Sequence, residues 1–183
     1  VRTRTGHGHE ATSFAFKAGD GLYGTFECRS VDTLLVFGSN GRVYSIALSL
    51  LPGGRGDGQP VTTLLELEGG TQLLYYFAGP AAAALLLSST AGYGFMATVE
   101  NMVSRQKAGK AFVSVNEGET LCCPSLVSGA QGKVTVAGTP ATVVPAATHV
   151  ACASTGGRIL TFEISELKSM ANGGRGLMLI DLE

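Results

Sequence analysis

The sequence predicts an all-β fold, a propeller-like array of about three four-stranded blades arranged as a disc or an open spiral. Three observations predict it. An apolar residue, a glycine and a leucine recur as Phe16-Gly19-Leu22, Leu67-Gly70-Leu73 and Val115-Gly118-Leu121. The spacing is about fifty residues, the length of one four-stranded repeat. In the middle of each unit an apolar strand runs into a glycine: Leu34 to Phe37 before Gly41, Leu85 to Leu87 before Gly92, and Val150 to Cys152 before Gly157. Arg42, Tyr93 or Arg158 follows that glycine at once, and Leu51, Met102 or Leu167 follows it at one shared spacing. Finally, the chain holds 26 glycines and only 6 prolines, a composition suited to frequent tight turns.

Taken in order, residues 1–13 read as the end of a preceding blade, because Arg4-Thr5-Gly6 resembles the basic-glycine turn that recurs later. Residues 14–66 form the first whole blade. Ser39-Asn40-Gly41 is a tight hairpin turn, since Asn and Gly both tolerate positive φ. The basic-glycine turn Arg55-Gly56 then leads to an alternating strand, Thr63 to Leu67. Residues 67–114 form the second blade, with Lys107-Ala108-Gly109 ahead of a strand from Ala111 to Val115. Residues 115–183 form the third, with Arg175-Gly176 ahead of a strand from Leu177 to Ile180. This unit carries an insertion at about 124–148, rich in Gly and Ala, with one strand-like patch from Lys133 to Ala137. Helix is confined to a turn or two at Glu100 to Gln106 and Glu163 to Ala171.

Composition narrows the function classes. Hydrophobic residues make up 45% of the 183 and charged residues 15%, which excludes a disordered tail. No apolar run approaches the ~18 residues of a membrane span. The opening Val-Arg-Thr-Arg is no signal peptide and reads as a cut inside a longer protein. Cys28, Cys122, Cys123 and Cys152 contain no Cys-x-x-Cys pair, so buried free thiols in a reducing cytoplasm are expected. The three histidines offer no nucleophilic triad, and the glycine-rich turns lack the Gly-Lys-Ser/Thr of a phosphate-binding loop. His7 and His9, i and i+2 on a strand, share a face next to Glu10, but no partner lies at ligand spacing, so no metal and no other cofactor is expected.

Ser39 to Ile46, with Leu51-Pro52 and Arg55-Gly56, resembles a blade of the C-terminal domain of bacterial type IIA topoisomerase A subunits, closest to topoisomerase IV. So do Ala91-Gly92-Tyr93-Gly94-Phe95, Ala108-Gly109-Lys110-Ala111 and the lead-in Lys17-Ala18-Gly19-Asp20. The resemblance implies a β-pinwheel, whose neighbouring blades exchange strands, and a non-catalytic DNA-binding accessory role. Duplex DNA would bend around a basic outer rim and be presented to a catalytic core for ATP-dependent strand passage. The parent protein would be an ATP-dependent topoisomerase, with cleavage and ATP hydrolysis elsewhere. The implied partners are double-stranded DNA, the other A-subunit domains and the B subunit. The implied location is the bacterial cytoplasm, at the nucleoid. Gyrase A subunits share this fold, but their box rich in Gln, Arg and Gly has no counterpart here.

Net charge is −1, so a DNA-binding role depends on where the bases lie. Arg42, Arg55, Arg105, Lys107, Lys110, Arg158 and Arg175 all sit in or beside the recurrent turns. Turns recurring at blade period lie on one edge of a disc, which would align these bases as a track for phosphates. Asp20, Glu66, Glu68, Glu117 and Glu119 fall at other connections and are expected on a different rim or face. The alternatives are a gyrase-type wrapping domain, a blade-repeat module for protein partners and, more remotely, a propeller hydrolase.

Overall fold

The computed structural model describes residues 1–6, 8–9, 14–54, 56–128, 134–135 and 148–182. Strands β1 (Thr33–Gly38) and β2 (Arg42–Ala47) form the first hairpin. Gly41 closes the turn at φ +74°, with its N–H donating to the Gly38 carbonyl at 3.0 Å. A Cβ at Gly41 would overlap the carbonyl oxygen of Val113, so the turn is also the seat for a later strand. There follow β3 (Leu73–Gly79), the hairpin of β4 (Ala84–Ser88) and β5 (Tyr93–Thr98), the single turn α1 (Val99–Met102) and β6 (Lys110–Ala111). The third unit contributes β7 (Ser125–Ser128), β8 (Val134–Thr135), the hairpin of β9 (His149–Ala153) and β10 (Ile159–Glu163), and β11 (Leu177–Met178).

The fold is all-β, as the repeat predicts, and its sheets cross the sequence units. The first sheet runs β6-β2-β1-β3-β8 and the second β11-β5-β4-β7. In each, a hairpin from one unit takes its outer strands from the next: β3 and β6 flank β1–β2, while β7 and β11 flank β4–β5. The registers correspond. Arg42 pairs with Ala111 and Val43 with Lys110, just as Tyr93 pairs with Met178 and Gly94 with Leu177. Strand exchange between neighbours is thus present in two successive blades. The third hairpin, β9–β10, stands as a two-stranded sheet.

Three strand assignments need correction. Thr63 to Leu67 is not a strand: Val61–Thr63 is a 3₁₀ turn, and Leu64, Leu65 and Leu67 pack into the core. The segments that correspond to it, β6 and β11, each join the hairpin of the preceding unit. Ala111 to Val115 and Leu177 to Ile180 are likewise strand only over β6 and β11, because only two residues of each face a neighbour's ladder. Helix among the described residues is sparse: α1, and 3₁₀ turns at Leu48–Leu50, Val61–Thr63 and Ile164–Glu166. Strand β8 falls inside the strand-like patch from Lys133 to Ala137 and pairs with β3; Lys133 lies outside the described residues, as does most of the insertion.

The main core lies between the two larger sheets. Leu35, Phe37, Val43 and Phe77 from one meet Leu85, Leu87, Phe95 and Ala97 from the other, with Met102, Phe112 and Leu121 filling the edges. The alternate residues of β1, Leu34 and Val36, point to the opposite face, where Tyr44, Ile46, Leu48 and Leu65 cover them. Burial on both faces explains why β1 reads Leu-Leu-Val-Phe without polar alternation. The third hairpin is less covered, and Ile159 and Leu160 are exposed.

Candidate nucleic-acid interface

The turn 105–110 gathers four of the seven sequence-predicted bases at the junction of β2 and β6. Gly109 makes this possible. Its φ is +67°, its N–H donates to Gln106 at 3.0 Å, and a Cβ there would lie 2.8 Å from the Val43 carbonyl oxygen and 2.7 Å from the Tyr44 ring. Only glycine brings the turn this close to β2, and the residues just before it, Arg105 and Lys107, are left exposed. Their side chains make no hydrogen bond or ion pair among the described residues, so guanidinium and ammonium groups are both available to an anion.

Arg42 and Lys110 take part differently. The Nε of Arg42 donates to the Ala108 carbonyl at 2.9 Å and a terminal nitrogen donates to the Gly109 carbonyl at 3.1 Å. The other terminal nitrogen lies 3.2 Å from a carboxylate oxygen of Glu68, whose second oxygen accepts from Asn40 Nδ2 at 3.1 Å. Lys110 donates to the Asn101 carbonyl at 3.0 Å and lies 5.1 Å from the centre of the Phe112 ring. These two bases brace the turn that displays the other two.

The corresponding corner of the second sheet keeps the clamp and moves the cation. Tyr93 stands where Arg42 stands in the first. Arg175, from the turn before β11, lies 4.2 Å over the Tyr93 ring. It forks onto Glu119 with contacts of 3.0 and 2.8 Å. Glu119 also accepts from the Asn116 N–H at 3.1 Å and from Asn116 Nδ2 at 3.2 Å. Hydrogen bonding to Arg175, then to the Asn116 backbone, holds the Glu119 carboxyl below its usual range, and the same pair raises Arg175.

The expected segregation of acids therefore fails at three of five positions: the Glu66 N–H donates to the Lys107 carbonyl at 3.0 Å, which sets that acid against the 105–110 turn. Glu68 and Glu119 lie in the same corners as the bases and pair with them. The reason is the strand exchange: the lead-in of each unit, which carries the acid, is folded against the turn that closes the same unit. Arg158 is exposed on the β9–β10 turn, where its N–H donates to Ser154 Oγ at 3.1 Å. Arg55 lies outside the described residues, as do His7 and Glu10. No group of three His, Cys, Asp or Glu side chains able to hold a metal converges among the described residues, and no helix there is long and apolar enough to cross a membrane.

Two sets of bases were missed in the sequence. Lys168 is exposed and follows Leu167, in the loop that matches 103–109; its place directly after the recurring leucine was the available signal. Arg2 and Arg4 lie over the Phe14 ring at 5.8 and 5.5 Å, and Arg2 donates to the Gly56 carbonyl at 2.6 Å. Lys17 pairs with Asp57 at 3.0 Å. Arg4 sits in a basic-glycine turn and Lys17 in a lead-in that the sequence marks, but their partners do not follow from the repeat, because residues 1–3 run beside Pro52 and Gln59.

Comparison with known proteins places this geometry. The family described as DNA gyrase C-terminal domain, beta-propeller, matches residues 32–66 and 148–183. The A subunit of DNA topoisomerase 4 from Neisseria gonorrhoeae is 37% identical over 100% of this chain and 22% of its own length. Its counterpart from Escherichia coli K12 is 30% identical, again over 100% of the chain and 22% of the relative. The chain thus spans about a fifth of these relatives, 22% in each case. Among solved structures, the E. coli ParC C-terminal domain superposes with a TM-score of 0.84 at 28% identity, covering 99% of this chain and 67% of that one.

Proposed function

The chain belongs to the family of C-terminal β-propeller domains found in gyrase A and in the A subunits of topoisomerase IV, and from that premise we propose that it is a non-catalytic module that holds duplex DNA for a type IIA topoisomerase. One observation carries the reading: the 105–110 turn displays Arg105 and Lys107 unpaired while Arg42 and Lys110 brace it. Such a corner suits phosphate oxygens, which are contacted by charge and register rather than by base sequence.

Lys168 and Arg158, on later loops of the same repeat, extend the cation set toward the third hairpin. Bending a duplex across several corners costs on the order of 1–6 kcal/mol for a smooth 40–90° bend, so one corner would tether DNA while several would curve it. Strand cleavage and ATP hydrolysis would reside in other domains of the parent protein and in its B-subunit partner, with the module delivering the DNA segment in the bacterial nucleoid. The preferred chemistry is decatenation or supercoil relaxation in the topoisomerase IV manner.

The test is fluorescence anisotropy of a labelled duplex titrated with the chain over a salt series, beside the variant Arg105→Glu/Lys107→Glu. Salt-dependent binding that the reversal removes supports the corner as a DNA site. Binding that the reversal leaves untouched moves the DNA elsewhere on the molecule, and no binding at low salt rejects the reading.

A further inference from the structure

We propose that Glu68 is an intramolecular competitor for the DNA phosphate at Arg42, so that one cation of the 105–110 corner is held in reserve and exchanged for DNA on contact. The inference rests on the DNA-binding reading above and adds an acidic residue that weakens it by design.

The two carboxylate–arginine pairs differ in a way that points to exchange at one and permanence at the other. The Glu119 side chain is 15% exposed and accepts four hydrogen bonds, two from Arg175 and two from Asn116. It is built into the blade junction. The Glu68 side chain is 61% exposed, touches a single nitrogen of Arg42 and has Asn40 as its other partner. The Arg42 side chain is 23% exposed, but its carboxylate partner lies at the surface, and a monodentate pair with an exposed member contributes little net stability. A phosphate oxygen can take the place of Glu68, because arginine makes charge-assisted contacts with phosphate and carboxylate alike.

Arg42 is poised for the exchange. Its Nε and one terminal nitrogen stay fixed on the Ala108 and Gly109 carbonyls, so the group that Glu68 now occupies keeps its direction when Glu68 leaves. The turn that holds it also carries Arg105 and Lys107, the two unpaired cations of the corner. Release of Glu68 would require rotation of an exposed side chain and loss of its hydrogen bond from Asn40 Nδ2. The corner would then present three cations to a phosphate track and one displaced carboxylate to solvent. DNA held this way is bound less tightly than the count of bases implies, a property suited to a module that must let its segment pass.

The experiment compares the chain with Glu68→Gln, Glu117→Gln, Arg42→Gln and the Arg42→Gln/Glu68→Gln double variant in duplex anisotropy over a salt series. Glu117 is an exposed acid of the next unit's lead-in and controls for the general loss of negative charge. The expected result is several-fold tighter binding by Glu68→Gln at low salt, with a salt slope steeper by about 0.9 for the additional phosphate contact. The gain should vanish in the Arg42→Gln background and be absent from Glu117→Gln. An equal gain in Glu117→Gln, or a gain that survives removal of Arg42, overturns the competition while leaving DNA binding intact. Failure of every variant to bind at low salt overturns the DNA-binding reading itself.

Discussion

Arg175 forks onto Glu119 with contacts of 2.8 and 3.0 Å while its guanidinium covers the Tyr93 ring at 4.2 Å. The contact joins three pieces of chain: the β4–β5 hairpin of one unit, and both the lead-in and the closing turn of the next. In the first sheet Arg42 and Glu68 join the corresponding pieces with the cation on the hairpin instead. A cation–carboxylate clamp at the strand-exchange junction is thus a property of the blade, and the residue supplying it is free to move between two sites that face each other.

The clamp makes stability depend on pH in a defined direction. The Glu119 carboxyl is lowered from 4.5 by its hydrogen bonds to Arg175 and Asn116. A depressed folded value means that the contribution is fully present above about 4.5 and is lost as pH falls through the lower folded value. Arg175, raised by the same pair, stays charged throughout. Urea midpoints measured downward from neutral pH should fall below about pH 4.5, and Glu119→Gln should show a shallower fall. Equal slopes for the two proteins would show that the acid sensitivity lies elsewhere.

Gly109 and Gly118 separate two uses of positive φ. Both occupy the left-handed region, at +67° and +81°, yet a Cβ at Gly118 meets nothing within 4 Å while one at Gly109 strikes Val43 and Tyr44. Gly118→Ala should therefore cost about 1–2 kcal/mol, the conformational term alone. Gly109→Ala should cost at least about 1–3 kcal/mol more, because the turn must also move off β2. Chemical denaturation of the two variants measures the difference, and similar losses would mean that the turn gives way freely.

How much of this was legible in the sequence depends on range. The hairpin turns were readable because Gly41 and Gly92 impose a local backbone geometry, and the repeat was readable because each blade reuses that geometry. Thr63 to Leu67 misled because its alternation satisfies a strand pattern, while a strand also needs a ladder partner, and here the leucines go to the core instead. The site was legible as residue types in turns. Which bases remain free was not, since Arg42 is taken by Glu68 and by the carbonyls of Ala108 and Gly109, contacts that join distant parts of the chain. The acid spacing gave no hint that strand exchange folds each lead-in onto its own closing turn.

All four cysteines are free thiols. Partial burial, followed by the nearby Asp32 charge, raises the Cys28 thiol, and burial raises Cys123 and Cys152 as well. A thiolate-selective reagent should titrate four thiols after denaturation, and in the native chain Cys28, Cys123 and Cys152 should react more slowly at neutral pH than a free cysteine, because less thiolate is present. Among these three, Cys28, the exposed one, should react first. Fewer than four titratable thiols under non-reducing conditions would contradict the free state.

Arg105 and Lys107 allow the DNA reading to be graded rather than merely accepted. If each contacts one phosphate, removing either charge lowers the salt slope of duplex binding by about 0.9, and removing both lowers it by about 1.8. Substitution to Gln suits this measurement, because reversal to Glu adds repulsion that a contact count does not include. The loss should be the same for duplexes of unrelated sequence, since phosphate contacts carry no base information. Arg175→Gln should behave otherwise: its guanidinium is already held by Glu119 and Tyr93, so its removal should lower the urea midpoint more than it changes the salt slope. A slope change at Arg175 as large as that at Lys107 would mean that DNA displaces Glu119 too, and that both clamps, not one, open on binding.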